Sequence, residues 1–185
     1  MHDYKKYLSE VLIDEERLRK RIAELGAQIS ADYKNSNELL LICILKGGVL
    51  FLTDLMRCIS IPHAIDFMAV SSYGVGNRKS QGHVRITLDL TADICSRDVL
   101  IIEDIIDSGR TISSVLNLLS ARKPHSLEVC TLLDKAERRE VDVPIRYRGF
   151  TIPDKFVFGY GLDLDEYFRN LPFIGAVDLE KYEGV

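Results

Sequence analysis

The chain contains the stretch Val99-Leu-Ile-Ile-Glu-Asp-Ile-Ile-Asp-Ser-Gly-Arg-Thr111, and this stretch decides its fold. Residues 99–102 are aliphatic without polar alternation, which is typical of a strand covered on both faces in a parallel sheet. After Thr111, the apolar residues follow the spacing of an amphipathic helix, at Ile112, Val115, Leu116 and Leu119. The stretch therefore predicts a buried strand, a polar loop and a helix.

The polar loop indicates a site that binds an anion, although acidic side chains of the protein surround it. Its residues 107–111 offer successive backbone N–H groups, two hydroxyls and a guanidinium at a helix N-terminus, where the helix dipole favours an anion. Glu103, Asp104 and Asp107 would repel a phosphate unless a metal or a sugar stood between them. The carboxylates therefore predict a polyhydroxylated ligand and a divalent cation such as Mg²⁺. The chain contains neither G-x-x-x-x-G-K-[ST] nor G-x-G-x-x-G, which disfavours P-loop and dinucleotide sites.

Length and composition indicate one ordinary globular domain over residues 1–185, since 46% of the residues are hydrophobic and 28% are charged. A net charge of -4 argues against non-specific binding to nucleic acid or to anionic membranes, so we expect small-molecule partners. No signal-peptide pattern and no run of 18 apolar residues is present, and we expect a cytoplasmic protein. The four cysteines, without a C-x-x-C pair, are predicted to be reduced core thiols.

The remaining chain alternates strand and helix patterns. Helices are predicted after Asp14, over 49–59 and after Thr111, and strands over 11–13, 39–45, 61–70, 84–88, 99–102, 127–133, 156–160 and 174–177. The alternating pattern of 84–88 indicates a half-exposed antiparallel strand. Residues 71–82 are rich in Gly and Ser, and we interpret them as a lid over a site rather than a plain hairpin connection.

Polar groups follow several of these predicted strands. They are Lys46, the loop that begins at Glu103, Lys135 and Asp163. In an open parallel sheet, ligands bind in the crevice beyond the carboxyl ends of the strands. We therefore expect these groups to outline one site.

The chain resembles the hypoxanthine-guanine phosphoribosyltransferases, which belong to the type I phosphoribosyltransferase family. The resemblance rests on these segments in the family's order: Leu45-Lys-Gly-Gly48, Ser72-Tyr-Gly74, Glu103–Thr111, Lys135, Pro153-Asp-Lys-Phe-Val157, Gly159-Tyr-Gly-Leu-Asp163 and Tyr167-Phe-Arg169. It implies an α/β fold, a twisted and mostly parallel sheet flanked by helices, with a small hood formed by the N-terminal segment and residues from about 156 to 185. It also implies transfer of 5-phosphoribose from phosphoribosyl pyrophosphate to N9 of hypoxanthine or guanine, with Mg²⁺ as cofactor.

The same resemblance implies a role for each matched residue, with Asp107 as the catalytic acid or base at purine N7. The phosphoribosyl group would be bound by Glu103, Asp104, Asp107, Ser108, Gly109, Arg110 and Thr111. Pyrophosphate would be bound by Lys46, Gly47 and Arg169, and the purine by Lys135, Phe156, Val157 and Asp163. The metal would be held by Glu103, Asp104 and Asp163, and the lid would carry Ser72 and Tyr73.

Several alternatives stay open at the level of sequence. A regulatory RNA-binding protein on the same scaffold is a second hypothesis, and the acidic net charge argues against it. A preference for xanthine is a third. Family members are commonly homodimers or homotetramers, so we expect a homo-oligomer. The family sometimes has a cis peptide at the position that matches Leu45-Lys46, and Ser96 stands at a turn where the family commonly has glycine.

Overall fold

The computed structural model describes residues 3–36, 38–72 and 84–182. It contains three α-helices, α1 (Glu15–Asp32), α2 (Val49–Cys58) and α3 (Arg110–Ser120). The strands within these ranges are β1 (Leu8–Ile13), β2 (Leu39–Leu45), β3 (Ala64–Ser72), β4 (Val84–Leu88), β5 (Asp98–Ile106), β6 (Ser126–Asp134), β7 (Ile145–Thr151), β8 (Val157–Phe158) and β9 (Ile174–Val177). Two short 3₁₀ turns span Tyr4–Lys6 and Ala136–Arg138.

Six strands form the main sheet in the order β4-β3-β2-β5-β6-β7. Neighbouring strands are parallel throughout, except that β4 pairs antiparallel with β3, as the alternating pattern of 84–88 predicts. Strand β2 is almost wholly buried, and in β5 residues 99–102 are buried, which explains the unbroken apolar runs of both strands. The predicted mostly parallel sheet is confirmed.

Helices cover both faces of this sheet. On one face, α1 and α2 pack their apolar residues, among them Leu25 and Phe51, against alternate residues of β2 and β5 such as Leu41 and Leu100. On the other face, the stripe of α3 that begins at Ile112 packs against the remaining strand residues. The predicted arrangement of helices on both sides of the sheet is therefore confirmed.

A second, three-stranded antiparallel sheet has the order β1-β9-β8. It is built from the two segments that the resemblance assigns to a hood, the N-terminal strand and the chain after residue 156. Phe158, Leu164, Leu171 and Val177 form a separate small core here. This sheet places the segment 159–171 close to the turn after β2, because Gly161 approaches Gly47.

Some features differ from the sequence predictions. Strand β7 was not predicted, because arginines at 146 and 148 interrupt its apolar residues. Cys58 and Cys95 are exposed, so the prediction of core thiols is correct only for Cys43 and Cys130. Residues 73–83, with most of the proposed lid, lie outside the described residues. Among the described residues, the structure has no helix long and apolar enough to cross a membrane.

The turn before β5 provides a test of backbone strain. Ser96 has a φ of 62°, a left-handed conformation that costs a non-glycine residue roughly 1 kcal/mol. We expect Ser96→Gly to raise the free energy of unfolding by about 0.5 kcal/mol or more, measured by urea denaturation. As a control, Ser113→Gly inside α3 should lower it by about 0.5 kcal/mol. A loss of stability in Ser96→Gly would contradict the strain argument.

Candidate active site

Two adjacent carboxylates lie near the carboxyl end of the central strand β5. Burial and the neighbouring charge of Asp104 raise the pKa of Glu103 well above its ordinary value, and Glu103 Oε2 accepts no hydrogen bond from the described residues. Burial also raises the pKa of Asp104 to about 6, although the backbone N–H of Ile105 donates to its Oδ1 at 2.7 Å. Such desolvated, under-bonded carboxylates are characteristic of binding sites rather than of a core.

The turn after β2 lies against this carboxylate pair. A Cβ atom on Gly47 would be only 1.5 Å from Asp104 Oδ2. Any residue other than glycine at position 47 would therefore clash with the Asp104 carboxylate where it now lies. The Leu45-Lys46 peptide in the same turn is cis. Glycine here therefore brings the backbone of the turn next to Asp104.

The loop between β5 and α3 forms a small pocket of about 130 Å³. Gly109 precedes α3 with a φ of 84°, and a Cβ on it would be 2.5 Å from the carbonyl oxygen of Val141. The carbonyl oxygen of Ser108 accepts hydrogen bonds from the N–H groups of Glu140 and Val141, at 2.9 and 3.0 Å. The pocket is lined by Glu103, Ile105, Ile106, Asp107, Ser108, Gly109, Thr111 and Ile112.

Arg110 does not direct its guanidinium into this pocket in the structure. Its Nε donates to Glu140 Oε2 at 2.6 Å, and the pair lies at the surface. Arg110 can therefore bind an anion in this pocket through its backbone N–H rather than through its guanidinium. The N–H groups in the first turn of a helix have no acceptor within that helix, so the other first-turn N–H groups of α3 can bind the same anion.

Asp107 is part of a group of four charged side chains. Lys135 Nζ lies 4.0 Å from Asp107 Oδ2 and 3.9 Å from Asp154 Oδ1. Arg138 Nε lies 3.3 Å from Asp107 Oδ1, and its Nη1 lies 3.5 Å from Asp154 Oδ1. Two cations and two carboxylates thus alternate around the place where the ends of β5 and β6 meet.

The backbone fixes Lys135 in this group. Lys135 is only 4% exposed, and its N–H donates to the carbonyl oxygen of Ile106 at 3.0 Å. The preceding residue, Asp134, is buried and forms ion pairs with Arg139 and Arg148. These contacts hold the carboxyl end of β6 beside that of β5, so the ammonium group faces Asp107.

Phe156 and Val157 lie where the chain enters the second sheet. Phe156 is 46% exposed, and its ring centroid lies 6.4 Å from that of Tyr182. Val157 is buried in β8, and its Cα pairs with that of Ala176. Phe156 follows Asp154, whose carboxylate lies near Lys135, by two residues. Its exposed ring face is suited to stacking against a planar ring.

The segment 161–169 provides the remaining predicted residues. Arg169 Nη2 lies 2.9 Å from Asp163 Oδ1, and Arg169 Nη1 donates to the carbonyl oxygen of Gly161 at 2.9 Å. Glu166 Oε2 lies 2.6 Å from Lys46 Nζ and 3.3 Å from Arg169 Nη2. Gly161 has a φ of 96°, and a Cβ on it would be 2.2 Å from the carbonyl oxygen of Gly47. This close approach places Arg169 beside Lys46.

The predicted metal ligands fit Mg²⁺ only together with a substrate. Within residues 3–36, 38–72 and 84–182, no three His, Cys, Asp or Glu side chains form a group that could hold a metal ion. Asp163 is bound by Arg169 and by the N–H of Glu166. Mg²⁺ commonly uses one or two carboxylates and completes its shell with water and substrate oxygens. The buried, unpaired oxygen of Glu103 beside Asp104 fits that pattern.

The structure therefore brings together most of the residues predicted for the site. Of the proposed lid residues, Ser72 is the last residue of β3, and Tyr73 lies outside the described residues. Sequence reasoning missed Arg138, Asp154 and Glu166 as members of the site. Asp154 and Glu166 fall within or beside matched motifs, which is the one signal that could have drawn attention to them.

Comparison with known proteins assigns this fold and site to a class. The family model of the phosphoribosyl transferase domain matches residues 10–165. The chain belongs to the phosphoribosyltransferase family. Within that family, the predicted resemblance to the hypoxanthine-guanine phosphoribosyltransferases is confirmed by the relatives described next.

The relatives are similar over nearly their whole length. The chain is 51% identical to hypoxanthine phosphoribosyltransferase of Salmonella typhimurium over 175 residues, covering 94% of this chain and 98% of that protein. It is 50% identical to hypoxanthine-guanine phosphoribosyltransferase of Mycobacterium avium over 181 residues, covering 95% and 89%. The crystal structure of a hypoxanthine phosphoribosyltransferase from Staphylococcus aureus superposes with a TM-score of 0.93 at 47% identity, covering 97% of each chain.

The raised pKa of Asp104 predicts how stability depends on pH. In the folded state its pKa is about 6, against 3.8 for an unperturbed aspartate, so this group makes folding less favourable as pH rises from about 4 to above 6. We expect Asp104→Asn to stabilise the ligand-free protein, and the gain to grow by on the order of 1 kcal/mol between pH 5 and pH 8 in urea denaturation.

The matched control is Asp142→Asn, which removes the same charge from an exposed position. Its effect on the free energy of unfolding should change little over the same pH range. If the two variants show the same pH dependence, the burial of Asp104 is not the cause.

Proposed function

We propose that this site transfers the 5-phosphoribosyl group of phosphoribosyl pyrophosphate to N9 of hypoxanthine or guanine, in purine salvage. One observation carries the proposal: the buried Glu103–Asp104 pair lies between an anion pocket, formed by 107–111, and a turn that carries Lys46. Such a site offers carboxylates to sugar hydroxyls and separate cationic positions to two phosphate groups. The activities of the relatives support the same reaction.

The 5-phosphate occupies the pocket at the N-terminus of α3. Backbone N–H groups and the hydroxyls of Ser108 and Thr111 face this pocket, and the helix dipole favours a negative charge there. Glu103 and Asp104 accept hydrogen bonds from the ribose 2- and 3-hydroxyls, directly or through water. Hydroxyl donors would satisfy the Glu103 oxygen that has no partner among the described residues.

Asp107 exchanges a proton with N7 of the purine while N9 attacks the ribose. Its carboxylate lies between Lys135 Nζ and Arg138 Nε, at 4.0 and 3.3 Å, and these contacts hold it at one place. A positioned acid or base of this kind contributes about 10²- to 10⁴-fold to a rate.

Lys135 selects the purine by donating to O6. An oxo group accepts this donation, whereas the amino group of adenine is itself a donor and would leave a buried cation unpaired. Phe156 stacks on the base with its exposed face, and the backbone of Val157 contacts the ring edge. Discrimination between hypoxanthine, guanine and xanthine depends on contacts at purine C2, which the roles assigned to Lys135, Phe156 and Val157 do not include.

Pyrophosphate leaves from the opposite side of the ribose. Its developing charge is stabilised by Lys46, the backbone at Gly47 and Arg169, which the approach of Gly161 to the turn brings together. Glu103 and Asp104, together with Asp163, are the residues that would hold Mg²⁺, which would add positive charge beside the pyrophosphate. A lid over the reaction from Ser72 and Tyr73 and a homodimer or homotetramer stay predictions of the resemblance, and a cytoplasmic location stays a prediction from the sequence pattern.

A spectrophotometric assay with phosphoribosyl pyrophosphate, Mg²⁺ and one purine at a time tests the function. We expect turnover with hypoxanthine, guanine or both, and kcat/KM for adenine at least about 10²-fold lower, because adenine leaves Lys135 unpaired. Omission of Mg²⁺ in the presence of a chelator should abolish turnover. Activity with adenine alone would contradict the role of Lys135, and no transfer to any purine would contradict the proposed function.

Replacement of the proposed acid or base tests the proton transfer. We expect Asp107→Asn to fold normally and to lose about 10²- to 10⁴-fold in kcat, with a smaller change in KM for phosphoribosyl pyrophosphate. Asp93→Asn, at an exposed position before β5, is the control and should keep its turnover. An unchanged kcat in Asp107→Asn would refute the role.

A further inference from the structure

The ion pair between Glu166 and two cations is the contact of the site that the proposed reaction does not use. Glu166 Oε2 lies 2.6 Å from Lys46 Nζ and 3.3 Å from Arg169 Nη2, so one oxygen bridges an ammonium and a guanidinium group. The two cations come from distant parts of the sequence, the turn after β2 and the segment after β8. They are the side chains to which we have assigned the pyrophosphate group.

The backbone around Glu166 places the carboxylate there at a conformational cost. Asp165 and Glu166 have φ values of 50° and 71°, so two successive non-glycine residues adopt the left-handed conformation, which is unfavourable for both. Leu164 and Tyr167 exchange backbone hydrogen bonds of 3.1 Å across the turn, and the N–H of Glu166 donates to Asp163 Oδ2 at 2.9 Å. The turn thus directs its only long acidic side chain at the two cations.

The contact is exposed to solvent and can be exchanged. The side chains of Lys46 and Glu166 are 66% and 65% exposed, so an incoming anion can reach the same position from solution. The pKa of Glu166 lies below its ordinary value, first because of its hydrogen bond to Lys46 and then because of that to Arg169, so the group is an anion at neutral pH. Arg169 keeps Asp163 and the carbonyl oxygen of Gly161 as partners if Glu166 moves away.

We propose that Glu166 is an internal competitor of pyrophosphate, whose carboxylate occupies the anion position between Lys46 and Arg169 until the pyrophosphate group displaces it. This inference rests on the proposed function, since it needs both cations to bind pyrophosphate. The carboxylate carries one negative charge, and pyrophosphate carries several and can contact both cations at once. Pyrophosphate therefore displaces Glu166, while a singly charged anion gains little by doing so.

The competition has two consequences for the reaction. Glu166 weakens the binding of phosphoribosyl pyrophosphate and of free pyrophosphate, because each must break an existing ion pair. It also provides Lys46 with a partner as pyrophosphate leaves, so that product release does not leave this ammonium group unpaired, while Arg169 keeps its contact with Asp163 throughout. Glu166 is in this sense a determinant of affinity for the diphosphate, and it contacts no reacting atom.

The test is titration calorimetry of inorganic pyrophosphate with Mg²⁺ on the whole chain, comparing wild type with Glu166→Gln. Exposed ion pairs are weak, so removal of two such contacts should tighten pyrophosphate binding about three- to ten-fold. In steady-state assays, KM for phosphoribosyl pyrophosphate should fall similarly, whereas KM for hypoxanthine should not change. Unchanged far-ultraviolet circular dichroism and thermal midpoint establish that the variant is folded.

The matched control is Asp165→Asn, which removes one negative charge from the adjacent residue, and asparagine tolerates the left-handed backbone of that position. It should bind pyrophosphate within about two-fold of wild type. Equal tightening in both variants would attribute the effect to net charge and overturn the inference. Weaker binding by Glu166→Gln would also overturn it, because Glu166 would then hold the two cations in place for pyrophosphate.

Failure of this inference is distinguishable from failure of the proposed function. If wild type transfers phosphoribose and binds pyrophosphate, but Glu166→Gln binds it with the same affinity, only the competition is refuted. If wild type neither binds pyrophosphate nor transfers phosphoribose to a purine, the assignment of Lys46 and Arg169 fails first, and the inference falls with it.

Discussion

The site depends on one constraint, which is that two adjacent carboxylates are desolvated near the end of the central strand β5. Glu103 and Asp104 follow the four aliphatic residues of β5 directly, and burial raises the pKa of both. In the ligand-free protein this arrangement is unfavourable at neutral pH, because burial disfavours charge. Sugar hydroxyls or a cation would satisfy these carboxylate oxygens. A carboxylate that lacks partners in the free protein binds such a ligand more strongly, because it gives up no existing contact.

The topology brings positive charge to the same edge of the sheet as this pair. Strands β2, β5 and β6 are neighbours and parallel, so the residues after their carboxyl ends meet at one edge of the sheet. Lys46 follows β2, and Lys135 follows β6. Arg169 comes from the segment after β8, which the second sheet holds against the turn after β2 through Gly161. Fold and electrostatics are therefore coupled: a different strand order would leave the acidic pair without these cations.

Local patterns were sufficient to predict the central elements but not all members of the site. Unbroken apolar runs predicted β2, β5 and β6, and the signature at 103–111 predicted the loop that joins β5 to α3, because these signals lie in contiguous residues. Strand β7 escaped because its arginines at 146 and 148, which lie exposed in the structure, interrupt the apolar pattern. These arginines pair with Asp32, Glu128 and Asp134 from other elements. The roles of Arg138 and Glu166 likewise depend on partners distant in sequence, which one sequence does not reveal.

In the ligand-free site, each cation already has a carboxylate partner from the chain itself. Lys46 pairs with Glu166, Lys135 lies near Asp107 and Asp154, and Arg169 pairs with Asp163. Ligand binding at such a site exchanges one set of ion pairs for another rather than neutralising free charge. The affinity for a ligand then depends on how much more strongly the cations bind the ligand than the carboxylates that it replaces. This difference favours a ligand with several negative charges. A diphosphate ester of a sugar meets this requirement, and so the same carboxylates that organise the site also select against simpler anions.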